Sequence, residues 1–322
     1  MNINDRQGMK AAADNALFQA PNQKKLVLLW TGISIAFPLL VSVCNFMLNT
    51  QIAETGGLSG IGLRSILSTI QSVLSTATSF LIPFWTLGYT ATVLRFSRNE
   101  PADSTTLLEG FRRFGPALRA MILKTIICTA AGFAAVYAGI ILLSLTPLVR
   151  PVYQILEQNQ STLMSGTLDE SMMEAMIPAM MPITLICCVL CFVVLLPILY
   201  RLRLTDFCLL DADNRSALFA IHESRRLMRR NCLHLFKLDL SFWWYYLAQI
   251  LLTVLCYGDV ILPVLGVTLP FHADVAFFVF YIAAMLAQLA LFYLYSNKVQ
   301  TTYAIFYDTL RNPRELENSL TI

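Results

Sequence analysis

The sequence predicts an all-α integral membrane protein with six transmembrane helices, and three observations carry that prediction. Hydrophobic residues fill 57% of the 322 positions and charged residues only 13%, against about 25% charged in a soluble domain. The apolar residues gather into six long uncharged runs, each near the ~20 residues a helix needs to cross a hydrocarbon core of about 30 Å. Lys and Arg are divided very unevenly among the segments between those runs.

The predicted spans are 26–48, 66–94, 117–145, 182–200, 240–258 and 275–295. Pro83 kinks the second, Lys124 precedes the uncharged part of the third, and Pro197 lies near the inner end of the fourth. The sixth is expected to run on as a helix past Tyr303. Backbone groups cannot stay unpaired in lipid, so a span is a helix or a strand of a closed barrel. A barrel strand would alternate with period two, which these continuous runs do not. The membrane domain is therefore placed at 25–309, between a polar segment 1–24 and a tail 310–322. The polar opening and the full length of the first apolar run argue against a secretory signal, and the spans leave no room for a separate soluble domain.

Orientation follows from the basic residues. Arg64 and Arg150 are the only Lys or Arg in the three segments after the first, third and fifth spans; the other 21 of the 23 lie in the alternate segments. That side is expected to be cytoplasmic, with both termini on it. Two cytoplasmic segments look alike. Ala102-Asp103-Ser104 leads into TTLLEGFRRFG, and Ala212-Asp213-Asn214 leads into RSALFAIHESRRLMRRN. Each starts with helix-capping residues. Leu107, Phe111 and Phe114, and then Leu218, Ile221 and Met228, form apolar stripes beside arginines. Both read as amphipathic helices on the inner membrane surface, and the repeated span–surface helix–span order suggests an internal duplication. In the long outer loop, Thr167 and Glu170 have capping-box spacing, which predicts a short helix over 168–176 before Pro178. Asn159-Gln160-Ser161 spells a glycosylation acceptor in the same loop.

Enzymatic motifs are missing. With three histidines, no phosphate loop, no nucleophile elbow and no H-E-x-x-H, neither a catalytic centre nor a metal or cofactor site is expected. Cys188 and Cys191 spell C-x-x-C inside a hydrocarbon helix without a second ligand pair, so packing is the expected role. Met173, Met176 and Met180 have helical spacing, and an interfacial apolar helix explains them better than copper ligation.

Four features remain. Ser68, Ser72, Ser75 and Ser79 share one face of the second span, either as a close-packing face or as the polar lining of a substrate path. Ala131, Ala135 and Gly139 make a small-residue row in the third span, with Ala130, Ala134 and Ala138 beside it. Phe242, Trp243, Trp244, Tyr245 and Tyr246 suit an interfacial belt. Lys124, Arg201, Arg203, Lys237 and Lys298 sit at the inner ends of spans. They either snorkel to the headgroups or ring a basic pocket for an anionic lipid headgroup.

The run SRRLMRRNCLHLFKLDLSFWWYYL at 224–247 resembles a stretch typical of a bacterial membrane family, domain of unknown function 975. Asn231, Phe236, Leu240, Ser241, Phe242 and Trp243 carry the likeness, with Trp243-Trp244 where the family usually has Gly-Trp. TTYAIFYDTLRNP at 301–313 resembles the family's close, and LLEGFRRFG at 107–115 its first surface helix. The resemblance implies a plasma-membrane location in Gram-positive bacteria and supplies no activity, ligand or site residue. A more distant likeness to the membrane domain of some glycerophosphodiester phosphodiesterases implies lipid surroundings. The expected function is non-enzymatic: binding or organising membrane lipids, anionic ones in particular, or supporting the envelope. A small-solute transporter and a scaffold for another membrane protein are the alternatives. No nucleic-acid partner is expected, and protein partners and oligomeric state stay open.

Overall fold

The computed structural model describes residues 5–54, 60–158, 170–211, 216–258, 261 and 273–311, and among these there is no strand. In chain order the helices are α1 (Arg6–Gln19), α2 (Gln23–Glu54), α3 (Gly60–Ser97), α4 (Glu109–Arg112), α5 (Phe114–Ser144), α6 (Arg150–Gln158) and α7 (Glu170–Leu202). They continue as α8 (Thr205–Asp211), α9 (Ala217–Met228), α10 (Cys232–Leu240), α11 (Trp243–Cys256), α12 (Ala273–Leu291) and α13 (Asn297–Arg311). A π-helical turn, Phe292–Ser296, joins the last two.

Five helical stretches are long and apolar enough to cross a membrane: Gln23–Cys44, Ser65–Ser97, Phe114–Ser144, Met176–Asp211 and Val279–Arg311. The segment predicted as the fifth span differs. Helix α10 meets α11 at a 68° bend, and α11 has only 14 residues. The break falls at Ser241-Phe242, where the Ser241 hydroxyl donates to the Leu238 carbonyl at 2.6 Å and the Phe242 N–H reaches the Asp239 carbonyl in a turn. The short helix predicted over 168–176 is instead the described start of α7, which runs through Pro178, Pro182 and Pro197; Thr167 and the Asn159-Gln160-Ser161 tripeptide lie outside the described residues.

The chain divides into two compact units. The first comprises Met1–Ala117, Asp206–Ser216 and Leu233–Ile322. Its centre is α13, in which Val299, Tyr303, Ala304, Phe306 and Tyr307 are buried. The predicted sixth span does run on as a helix past Tyr303, to Arg311, and this extension is interior. Helices α1 and α3 pack against it, Tyr246 of α11 bonds its Tyr303, and α2 and α12 meet the π-helical turn at its start. Helix α3 ends in a Schellman motif: Asn99 has φ 55°, its N–H reaches the Phe96 carbonyl, and the Glu100 N–H reaches Arg95. Pro101 then bars further helix. The chain turns back, and a 3-10 turn at Thr106–Leu108 and the single turn α4 pack on α3. The surface helix predicted for this segment is therefore broken, with Arg113 out of helical conformation before α5 begins.

The second unit comprises Leu118–Thr205 and Ala217–Cys232. Small residues bring α5 close to α7. A Cβ on Gly139 would lie 3.3 Å from the Cys187 sulfur, and one on Gly132 3.9 Å from the Cys191 sulfur. Ala135 and Gly139 are buried, whereas Ala130, Ala134 and Ala138 are exposed, so one of the two small-residue rows makes this contact. Large apolar side chains such as Phe133, Tyr137, Phe192 and Val193 point outward, as lipid-facing residues must.

Candidate functional site

A basic recess forms in the second unit where α9 folds back on the last turn of α7. The Ser224 hydroxyl donates to the Arg201 carbonyl at 2.8 Å, satisfying a terminal carbonyl that the helix itself leaves open. This register places Arg225 and Arg229, four residues apart on one face of α9, beside Arg201. Ile127 and Ile198 form the apolar wall of a recess of about 380 Å³. No carboxylate lines it. Among the described residues neither Arg225 nor Arg229 makes an ion pair, while neighbouring Arg226 bonds Glu223 at 2.6 Å. Three arginines without a lining carboxylate give the recess the chemistry to accept an anion.

Of the five basic residues singled out in the sequence, Arg201 lines this recess. Lys124 lies one helical turn before Ile127 in α5, and Arg203 follows α7; both belong to the same unit. Lys237 and Lys298 belong to the first unit. Lys298 bonds Asp14 of α1 at 2.6 Å, and the Lys237 carbonyl accepts from Arg6. Beside them Lys10 donates to the Ser241 carbonyl at 2.8 Å and stands 4.0 Å above the Phe242 ring. Helix α1 thus caps the C-terminal carbonyls of α10 with two cations, the favourable sign for that end of a helix. Burial first, then the charges of Lys298 and Arg6, lower the Lys10 pKa. Sequence reasoning missed Arg225 and Arg229 as partners of Arg201. Their four-residue spacing was visible, but the fold-back that turns them toward α7 was not.

The serine row lies on an exposed face. Ser68, Ser72 and Ser79 each donate to a carbonyl three or four residues back in α3; Ser75 shares that face. Within the aromatic cluster, Phe242 packs under Lys10, Trp244 meets Tyr295 edge-on at 4.3 Å, and Trp243 is exposed.

The first unit contains a polar hub at the end of α3. Arg98 bonds Asp211 at 2.9 Å and Asp308 at 2.7 Å. Asp211 also accepts from the Tyr307 hydroxyl at 2.9 Å and pairs with Arg311. Burial pulls the Arg98 guanidinium down, but its hydrogen bond and charge contact with Asp308 outweigh this and raise its pKa. Nearby, Arg95 pairs with Glu109 at 3.2 Å, and Arg113 donates to the Leu209 carbonyl at 3.1 Å. One turn back along α13, Tyr303 bonds both Asp239 and Tyr246. The charges in this hub are matched, so it reads as a structural clamp.

A family model described as "Protein of unknown function (DUF975)" matches residues 16–314. The chain belongs to the DUF975 family. No curated protein and no solved structure matches it. Parts of the segments through which the chain resembles DUF975 in sequence meet at the hub and at Tyr303 beside it. From LLEGFRRFG, Glu109 holds Arg95 and also lies 3.7 Å from Arg113, and Phe111 and Phe114 pack on Phe84. From TTYAIFYDTLRNP come Tyr303, Tyr307, Asp308 and Arg311; from the middle run come Asp239 and Tyr246. In this DUF975 chain residues from all three segments help to hold the first unit together, while the start of the middle run, with Arg225 and Arg229, lies in the second unit and lines the arginine recess.

Proposed function

We propose that this DUF975 protein is a non-enzymatic protein of the bacterial plasma membrane that binds anionic phospholipid headgroups in the Arg201–Arg225–Arg229 recess. The observation that carries this reading is the gathering of three guanidinium groups, without a carboxylate, against an isoleucine wall. A phosphate accepts charge-assisted bonds from the arginines, and the isoleucines suit the acyl chains beside it. Arg201 ends the candidate span Met176–Asp211's apolar part, which is headgroup depth.

Six spans, with the bent α10–α11 pair as the fifth, and cytoplasmic termini are part of the same proposal. They are supported by the bias of 21 basic residues to one set of segments. The duplication is supported by a shared manoeuvre: after α3 and again after α7, the chain folds back on the span it has just left. In α9 the buried Ala217, Ala220, Ile221, Ser224 and Met228 oppose exposed arginines, as an amphipathic surface helix requires. A fluorescent-protein fusion at the C-terminus should fluoresce, whereas a periplasmic-type phosphatase fusion there should be inactive; the reverse pattern would overturn the orientation.

The binding reading is tested on protein extracted in native nanodiscs, by mass spectrometry of the lipid retained. Anionic phospholipid should be enriched over the bulk membrane. A basic residue near the surface is worth about 1 kcal/mol toward anionic lipid, or about five-fold in affinity. Replacing Arg201, Arg225 and Arg229 together by Gln should therefore abolish the enrichment, while replacing the ion-paired Arg226 should leave most of it. Equal lipid profiles in the native protein and the triple variant would overturn the assignment.

A further inference from the structure

A second cavity, independent of the arginine recess, lies within the first unit between α2, α11 and α12. It measures about 550 Å³ and is lined by Ser34, Pro38, Thr253, Tyr281, Gln288 and Phe292, among others. No Asp, Glu, Lys, Arg or His lines it. Ser34 is nine residues beyond Lys25, about 13 Å along a helix, which is close to the midplane of a hydrocarbon core about 30 Å thick.

Ser34 departs from the span hydroxyls that bond back to their own helix. Thr31 of the same helix donates to the carbonyl four residues back at 2.7 Å, and so do Thr76, Thr86 and Thr90 of α3. The Ser34 hydroxyl is buried and has no hydrogen-bond partner among the described residues. The carbonyl it would reach, that of Trp30, already accepts from the Trp85 indole at 3.2 Å. Four residues further on stands Pro38, inside α2 and lining the same cavity. Proline has no N–H, so the Ser34 carbonyl loses its helical donor. One residue thus brings an unpartnered hydroxyl and a carbonyl deprived of its i+4 donor to an apolar cavity, where a missing bond costs free energy. The opposite wall adds the Gln288 amide, next to the π-helical turn that begins at Phe292; such turns are frequent at functional sites.

We propose that this cavity binds an uncharged amphipathic alcohol, its O–H donating to the Ser34 carbonyl and its oxygen accepting from the Ser34 hydroxyl or the Gln288 amide. A charged ligand is excluded by the uncharged lining at this depth. The volume lies in the range of small-molecule sites, and the apolar walls suit an alkyl or acyl body. Two sources share this chemistry: a glyceride of the membrane with a free hydroxyl, and a small hydrophobic alcohol.

The test is photolabelling of the full-length protein in nanodiscs with a long-chain alcohol bearing a diazirine, against its methyl ether, with adducts mapped by peptide mass spectrometry. Adducts are expected on cavity residues such as Tyr281 and Met285. The alcohol should exceed the ether about ten-fold, the equivalent of one or two net hydrogen bonds. Ser34→Ala should lower that ratio at least about three-fold. So should Pro38→Ala, which gives the Ser34 carbonyl an N–H and strengthens the helix, so that lost labelling cannot be put down to misfolding. Displacement of the label by dioctanoylglycerol identifies a glyceride; displacement by decanol alone identifies a small alcohol. Equal labelling by alcohol and ether, or a ratio unchanged in both variants, would overturn the proposal.

Discussion

Gly88→Ala is expected to leave little folded protein in the membrane, and Gly110→Ala to do nearly the same. A Cβ on Gly88 would lie 1.8 Å from the Leu107 carbonyl oxygen, and one on Gly110 2.0 Å from the Phe84 carbonyl oxygen. Both obstacles are backbone, so no rotamer change relieves them. The two glycines let the segment after α3 lie directly on that helix, with Leu107 fully buried. Overpacking a core with an extra methyl costs about 1–3 kcal/mol when side chains can move; here the whole fold-back must lift, and a loss above about 3 kcal/mol is expected. Thermal unfolding in detergent, with size-exclusion behaviour as a second readout, measures it. Gly32→Ala and Gly115→Ala are the controls. Neither would meet an atom within 4 Å, so both should be neutral or stabilising by about 0.5–1 kcal/mol. Equal stability of Gly88→Ala and Gly32→Ala would show that the fold-back is not packed this way.

Asp211→Ala should have the next largest effect, destabilising by about 2–3 kcal/mol. Its carboxylate, 11% exposed, receives Arg98, Tyr307 and Arg311. Removing one member of a buried pair costs about 3–5 kcal/mol because the partner stays charged and unpaired. The lower figure applies because Arg98 is 30% exposed and keeps Asp308. A double-mutant cycle with Arg98→Ala isolates the pair: about 1 kcal/mol or more of coupling is expected between contacting groups. Additive losses would mean that Arg98 and Asp211 stabilise the unit separately.

The resemblance noted in the sequence pointed to the right family but could not say why its motifs matter. LLEGFRRFG has helical spacing, and an amphipathic helix was the natural reading. What breaks that helix is the closeness of Gly110 to Phe84, a contact between residues 26 apart in the chain. The helix expected to run on past Tyr303 does so, to Arg311, but nothing in the sequence said what it packs against. It is buried because its hydroxyls and carboxylates meet Arg98, Asp211 and Asp239. Among the basic residues, Arg201 was visible as a charge at a helix end; its neighbours Arg225 and Arg229 were visible only as part of a stripe.

The sequence by itself determined that the chain is helical and apolar enough to cross a membrane several times, because run length and the absence of charge are local properties read against the thickness of a bilayer. It also pointed to the family and to the small-residue rows of the third span, one of which the structure sets against α7. Only the tertiary structure decided where the fifth predicted span bends, which arginines share a recess, and that the Ser34 hydroxyl is left without a partner among the described residues. Each of those depends on what another segment brings within about 3 Å, the reach of a hydrogen bond, and no periodicity in one helix encodes that.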